Sequence, residues 1–430
     1  MSRIGLFSLP ATGHLYPCMA VAGQLVREGH EILFFQDPKC RALLAKAGFT
    51  VKVLEEASCP ELWHDFDGVS SSDTIKFIGS YSSAVLACAP TILASTPLDA
   101  LIVDGMVPAG GVMADVLDIP FISLSCSVPL YLEEDTPPVT CGWSADPVDT
   151  VRSRNIVANA ALTRRVRPVL DTLNRERVRF GLSPLHHPND TFSRRGIIVQ
   201  SPEEFDFERS TRPSHYFYGG HFKDPPSRRR IPFCWSRLDD RPLIYASMGT
   251  VRNTTLSAFR VIAESCPDDC QLVISLGGGT LFPRDLGPVR ENVIVVHYAP
   301  QVDLIGRAEL VISHAGMNTT LESLAQGLPI VAVPITDDQP GIAARIVKSG
   351  VGVRVDYRAL TAAGLAKAIY QVRNDSLYRS AALRMRTAIL NSRGVEGVAR
   401  LIGSLLGAAE PPDGRALSAS NLVYHRGVTS

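Results

Sequence analysis

At 430 residues the chain is long enough for two domains of about 200 each, every one with a core of its own. Apolar residues make up 45% and charged residues 20%, and Lys+Arg equals Asp+Glu at 43 each, so the formal net charge is zero. This balance gives no global argument for a nucleic-acid or acidic partner, no uncharged apolar run reaches membrane-spanning length, and nine scattered cysteines without a CxxC argue against a disulfide framework or structural zinc and for a reducing cytoplasm.

The opening MSRIGLFSLPATGH reads as a first β-strand at 4–9 and a turn, rather than as a signal peptide. An amphipathic helix over 15–28, stopped by Gly29, leads to a strand at 31–35, a helix at 39–48 and a strand at 50–54. This is a doubly wound βαβαβ start whose first turn lacks a GxGxxG, so dinucleotide binding is not expected there. His14 stands at the carboxyl end of the first strand, the edge of a parallel sheet where ligands bind. A lone loop histidine is otherwise an ordinary surface or capping residue. A further apolar run ends at Asp104, followed by a helix over 108–117 and a strand over 120–124. Asp104 reads either as the cap of that helix or as a carboxylate within reach of His14.

The Pro-rich stretch 125–143, SCSVPLYLEEDTPPVTCGW, is irregular and apolar, in keeping with a loop that shapes a small-molecule pocket. Eight arginines on helical segments over 151–180 read as a solvated helix face; the competing reading is peripheral contact with anionic lipid. Asp65-Phe-Asp67 has the form of a metal-binding DxD, and His186-His-Pro-Asn-Asp190 that of an acyltransferase HxxxD, but each is short and stands alone.

The polar, proline-broken 224–230 marks an interdomain linker, drawn as 224–241 between a first domain at 1–223 and a second at 242–410, with a tail at 411–430. The second domain opens with a strand at 243–247 and a turn whose Ser247 and Thr250 place two hydroxyls at the next helix start. Strands at 271–276 and 292–297 lead through Gly277-Gly-Gly279 to Tyr298-Ala-Pro-Gln301. The stretch 309–339, ELVISHAGMNTTLESLAQGLPIVAVPITDDQ, is a strand, a His-Ala-Gly corner, a helix ended by Gly327 and a second strand. His314 sits at the strand end and Gly316 allows close backbone approach. Asn318 and Thr319 lie in the first helical turn, where free N–H groups attract phosphate oxygens. Glu322, four residues on from Asn318, shares its face and suits ribose hydroxyls. Asp338 and Gln339 could bind sugar hydroxyls. Taken singly, His314 and Asn318 read equally as capping groups and Glu322 as a solvated charge. Helices over 358–373 and 377–392 follow, and 394–406 packs back across the interface.

His-x-Gly-x-Asn-Thr-x-x-Glu, then Gly-Leu-Pro, Pro334 and Asp338-Gln339, preceded by Tyr298-Ala-Pro-Gln301, resembles the donor-binding signature of the UDP-glycosyltransferases over more than forty residues. The opening aromatic of that signature is usually Trp, where this chain has Tyr298. VPLYLEEDTPP is also similar to carotenoid (zeaxanthin) glucosyltransferases. The resemblance implies the GT-B fold: two Rossmann-like doubly wound α/β domains facing each other across a cleft, the second holding the donor. It implies that Tyr298 stacks on the base, that His314 and the Asn318-Thr319 pair contact the diphosphate together with Ser247 and Thr250, that Glu322 binds ribose, and that Asp338-Gln339 holds the sugar. Gly13-His14-Leu-Tyr-Pro17 resembles the element carrying the family's catalytic base, and the segment around Asp104 the one carrying its partner carboxylate. The expected reaction is transfer of a sugar from a UDP-sugar co-substrate to a hydrophobic hydroxylated acceptor with inversion, with no other cofactor and no metal. A nucleotide-sugar 2-epimerase on the same fold and a silent nucleotide-sugar sensor are the rivals. The first would consume UDP-GlcNAc without acceptor, the second would bind donor without turnover.

Overall fold

The computed structural model describes residues 1–54, 71–143, 149–223, 231–251 and 255–407. The linker core at 224–230, the Asp65/Asp67 pair and the tail at 411–430 lie outside the described residues. The first lobe runs β1 (Arg3–Phe7), α1 (Thr12–Arg27), β2 (Glu31–Gln36), α2 (Arg41–Lys46), β3 (Thr50–Val53), α3 (Ser71–Ala94), β4 (Ala100–Asp104), α4 (Ala109–Leu117), β5 (Phe121–Ser125), α5 (Asp149–Arg179), β6 (Ile197–Val199) and β7 (Tyr216–Tyr218). Its seven strands are all parallel, in the order β3-β2-β1-β4-β5-β6-β7.

The second lobe runs β8 (Leu243–Ser247), α6 (Leu256–Glu264), β9 (Gln271–Ser275), β10 (Val293–Val296), α7 (Gln301–Ile305), β11 (Ala308–Ser313), α8 (Met317–Ala325), β12 (Ile330–Ala332), α9 (Gln339–Lys348), β13 (Gly352–Arg354), α10 (Ala362–Asn374), α11 (Ser376–Asn391) and α12 (Gly394–Gly407). Six parallel strands stand in the order β10-β9-β8-β11-β12-β13. Strands such as LIVD and LVIS are buried on both faces, which is why they read as continuous apolar runs rather than as alternating ones. Each sheet reverses its strand order once, at β1/β4 and at β8/β11, and a crevice opens at the strand ends of such a switch point.

Two departures from the sequence reading, and one agreement with it, bear on the site. Helix α1 begins at Thr12 rather than 15, because the Ala11 carbonyl accepts from the His14 and Leu15 N–H groups at 3.0 and 2.9 Å. His14 therefore lies in the first helical turn. Helix α6 begins at Leu256, so Ser247 and Thr250 belong to the strand end and the loop after it, not to the helix start. Helix α12 packs back across the interface as expected of 394–406, burying Val398, Ala399 and Ile402 with Leu15, Met19 and Ala22 of the first lobe.

Contrary to the expectation that no uncharged apolar run reaches membrane-spanning length, helix α3 is by length and composition able to cross a membrane, residues 77–98 carrying no charge. Its Phe77, Tyr81, Val85, Leu86, Ala89 and Leu93 nevertheless belong to the core of the first lobe, where the helix packs on α4 and α5. On α5, Arg152 pairs with Glu134, Arg167 with Asp171 and Arg177 with Asp115, while Arg154 covers the Trp143 ring at 4.5 Å. Arg175 meets Thr172 and Arg179 meets Glu176, so at least six of the eight arginines have partners within the lobe. The His186–Asp190 motif is a local turn: Asp190 accepts from the His186 and His187 backbone N–H groups at 2.9 and 2.8 Å.

Candidate active site

A cleft of about 1430 Å³ separates the two sheets. Pockets that hold one drug-sized ligand measure about 300–1,000 Å³, so this one has room for two substrates at once.

On its first wall Asp104 ends β4 and His14 opens α1, next to each other at the switch point although 90 residues apart in sequence. His14 Nδ1 lies 2.8 Å from Asp104 Oδ2. An ionised carboxylate only accepts, so Nδ1 carries the proton and Nε2 keeps its lone pair. Asp104 is held from behind: Oδ2 also accepts from Leu9 N and Oδ1 from Met106 N, both at 3.0 Å. The carboxylate is 1% exposed while the imidazole keeps 20% of its surface on the cleft side. Burial depresses the His14 pKa, but attraction and hydrogen bonding to Asp104, with a further contribution from Asp338, outweigh it and raise the pKa above the ordinary 6.5.

Cys126 completes a cluster of three metal-capable side chains with His14 and Asp104. Its thiol hydrogen-bonds toward Cys18, and that contact together with burial holds its pKa well above the ordinary value, which disfavours a thiolate ligand. The imidazole and carboxylate are already engaged with one another. The eight described cysteines are all free.

On the opposite wall His314 follows β11, whose Ser313 pairs with Ser247 of β8. The corner turns through Ala315 in the left-handed region (φ 64°), a costly conformation for alanine. A Cβ on Gly249 would lie 2.6 Å from His314 Nε2 and one on Gly316 2.5 Å from it, so only glycine fits on either side of the ring. Burial pushes His314 down to about 4, against an opposing backbone contact at Ser247, and the ring is neutral at physiological pH. It can meet an anion as a neutral N–H donor, not as a cation. Gly316 caps α8 without a side-chain hydrogen bond, leaving the first-turn N–H groups open to such an anion.

Asn318 and Thr319 both lie on that turn but face different ways. Pro17 has no N–H, so the Gly13 carbonyl four residues earlier lacks its helical donor, and Asn318 Nδ2 supplies one from across the cleft at 3.0 Å. Asn318 Oδ1 accepts from Gln200 Nε2 at 2.9 Å. The Asn318 side chain is thus an interlobe bridge, and only its backbone stays with the anion site. Thr319 Oγ1 accepts from Gln301 Nε2 at 3.3 Å; the same nitrogen donates to Glu322 at 2.7 Å, and Tyr245 donates to Gln301 Oε1 at 3.1 Å. Glu322 is therefore a buried, oriented carboxylate, not a solvated charge.

Tyr298 packs against Gly278 and lines the cleft. Ser247 is buried, its Oγ accepting from Gly249 N at 3.3 Å, whereas Thr250 reaches the rim and meets Thr12 Oγ1 at 3.2 Å. Asp338 takes a short hydrogen bond from Ser127 of the first lobe, and burial raises its pKa against that bond. The Gln339 Oε1 is engaged by Ile335 N and Thr336 N at 2.8 and 3.2 Å, leaving its NH₂ end as the part available to a ligand. Thr12, Ser127, Gln200 and Tyr245 carry no local motif, and only the folded arrangement brings them to the site.

Two doubly wound parallel sheets facing across a cleft, with an imidazole–carboxylate pair on one wall and a glycine-cradled histidine at a helix start on the other, define a two-lobe glycosyltransferase of the GT-B type. The chain belongs to the family described as "UDP-glucoronosyl and UDP-glucosyl transferase", whose model matches residues 82–400. It is 29% identical over 418 residues to a zeaxanthin glucosyltransferase of Pseudescherichia vulneris, covering 95% of this chain and 99% of that protein. Among solved structures it is similar to the glycotransferase of kitacinnamycin (TM-score 0.76, 20% identity, covering 94% and 98% of the two chains). A second is the Streptomyces sp. SF2575 glycosyltransferase SsfS6 complexed with thymidine diphosphate (TM-score 0.66, 17% identity, covering 94% and 100%).

Proposed function

We propose that the protein moves a sugar, glucose in our reading, from a UDP-sugar to a hydroxyl of a hydrophobic small molecule such as a carotenoid, with inversion at the anomeric carbon. The observation that carries this is the 2.8 Å bond between His14 and Asp104, in the same cleft as His314 and the open start of α8. His14 Nε2 takes the proton of the acceptor hydroxyl, and the oxygen forms its bond to the anomeric carbon from the face opposite the nucleotide. The bond from that carbon to the β-phosphate oxygen breaks, and nucleoside diphosphate leaves. Asp104 stabilises the imidazolium until its proton passes to water. The departing charge meets the α8 N–H groups, neutral His314 and Thr250.

Tyr298 stacks on the base, Glu322 binds the ribose, and Asp338 with Gln339 holds the sugar. No metal has a role in this reading. The acceptor chamber, on the first-lobe side, is lined by Ile75, Ile78, Met106, Leu130, Val166 and Phe192, which suits a lipophilic aglycone. The zeaxanthin glucosyltransferase relative supports the same acceptor class. The thymidine diphosphate bound by SsfS6 makes dTDP-sugars the competing donor. We assign the protein to the cytoplasm and read the outer face of α5 as solvated, since at least six of its eight arginines have partners within the lobe.

Incubation with UDP-glucose, UDP-GlcNAc and dTDP-glucose, with and without EDTA, against a panel of hydroxylated lipophiles including zeaxanthin tests this by product mass. Hexosylated product from UDP-glucose, unaffected by EDTA, is expected. Consumption of UDP-GlcNAc without acceptor would indicate epimerisation instead, and donor binding without turnover a sensor. A second expectation concerns Glu322. Removing a buried, oriented carboxylate from ribose hydroxyls should raise donor KM about 10- to 100-fold, the range for a hydrogen bond to a charged group. Steady-state kinetics of Glu322→Ala read this directly, and an unchanged KM would place Glu322 outside the ribose site.

A further inference from the structure

Apart from the packing of α12 on α1, the lobes meet along two seams of opposite character. At the diphosphate end the contacts are polar and open to solvent: Thr12 with Thr250 at 3.2 Å, and Asn318 with the Gly13 carbonyl at 3.0 Å. On the far side Val128, Val139 and Phe205 of the first lobe are built into the apolar cluster of the second, among Leu321, Leu324, Ile342 and Ile346. Helix α9 lies along this dry seam. Its Gly341 N–H donates to Val139 O at 2.9 Å, and Lys348 Nζ donates to Asp206 O at 2.8 Å.

Between those contacts Arg345 pairs with Asp206 of the first lobe: Nε donates to Oδ1 at 2.8 Å, and Nη2 lies 2.7 Å from the same oxygen as an ion pair without hydrogen-bond geometry. Both side chains are 0% exposed. The second oxygen of Asp206 accepts from Arg209 Nε and Tyr218 OH, each at 2.7 Å, and Arg345 lies over the Phe207 ring at 4.4 Å. Burial would raise the Asp206 pKa, yet Arg345 and Arg209 hold it well below the usual carboxylate range.

Arg345 is seven residues after Asp338, close to two full turns, so the two lie on the same side of the helix about 10 Å apart along its axis. The Arg345–Asp206 bond, together with the Gly341–Val139 and Lys348–Asp206 bonds on the same helix, therefore sets both the rotation and the depth of α9. We propose that the Asp206–Arg345 pair is a positioning contact: it holds α9 to the first lobe and so keeps Asp338 and Gln339 in register with His14, while opening for the nucleotide takes place at the polar seam. This rests on the reading of Asp338-Gln339 as the sugar subsite. Misregistration of that subsite leaves the nucleotide contacts, which are made by α8, the β8 turn and Tyr298, untouched. It shifts the sugar relative to the base and acceptor.

The test uses the full chain with UDP-glucose and zeaxanthin, or whichever acceptor the panel selects, and compares Arg345→Met, Arg345→Lys and Asp206→Asn with the parent. Four quantities are read: kcat, UDP dissociation constant, ratio of donor hydrolysis to transfer, and Tm. Expected for Arg345→Met is a fall in kcat approaching the 10²-fold that an ångström of misplacement can cause. UDP affinity should be unchanged, a larger share of donor should be lost to water, and Arg345→Lys should recover part of the rate. A lowered Tm with unchanged kcat and partition, assayed well below Tm, would reduce the pair to a structural role and overturn the proposal. So would equal losses in kcat and UDP affinity. Should Arg345→Met not fold, Arg345→Lys and Asp206→Asn make the same comparison. Asp338→Asn separates the two readings. If it leaves kcat/KM for UDP-glucose intact, the sugar-subsite assignment fails; if it lowers kcat/KM while the Arg345 variants do not, only the positioning contact fails.

Discussion

His14→Ala is expected to lower kcat by roughly 10²–10⁴-fold, the usual contribution of a positioned general base, with donor affinity retained. The two effects separate because the proposed donor contacts lie on the other lobe, at His314, the α8 start, Gln301 and Glu322. Among the described residues the imidazole's hydrogen bond is to Asp104, and it keeps 20% of its surface exposed on the cleft, so its loss should leave the protein folded. Single-turnover rates with saturating UDP-glucose and acceptor, beside UDP titration by calorimetry, measure each arm. An unchanged rate would remove the base assignment. A lost rate with equally lost UDP affinity would point to a collapsed cleft.

Asp104→Asn should approach the same loss in kcat, on the order of 10²–10⁴-fold, by a different route. An amide can present its NH₂ to His14 Nδ1, which favours the tautomer with the proton on Nε2 and leaves no lone pair for the acceptor hydroxyl. Its single oxygen must also choose between the Leu9 and Met106 N–H groups that two carboxylate oxygens now satisfy. The pH profile gives an independent reading. The base works only when neutral, so in the parent kcat/KM should be full at alkaline pH and fall as pH drops through a His14 pKa raised above 6.5. Without the Asp104 charge, the burial that depresses that pKa meets less opposition, and the residual activity should persist to lower pH. An acid limb in the same place for both proteins would show that Asp104 does not act on His14.

Much of the donor lobe was legible from residues 309–339 because their information is local. A continuous apolar strand, a glycine corner and a helix start follow each other within one βαβ unit, and the structure keeps that order in β11, α8 and β12. The short strands β6 and β7 escaped notice, since three residues carry no measurable periodicity. Helix α9 was missed too, because Pro340 just inside its start reads as a breaker where it is in fact a tolerated first-turn residue. The interlobe role of the Asn318 side chain was not legible in the sequence. Its partner, the carbonyl freed by Pro17, sits 305 positions away and could not be anticipated from either segment.

By itself the sequence determined which candidate side chains stand where in each βαβ unit: His14 just after β1, Asp104 at the end of β4, His314 after β11, Glu322 on α8 and Asp338 after β12 each follow from neighbours within a few positions. The tertiary structure alone decided which of them meet. Sheet order puts β4 beside β1 and β11 beside β8, and the buried seam through Phe205, Asp206 and Arg345 sets one lobe against the other. The physical reason is range: helix starts, turns and strands are set by backbone hydrogen bonds and burial over short stretches. The pairing of a base with its carboxylate, and of acceptor with donor, depends instead on packing between segments that share no local signal.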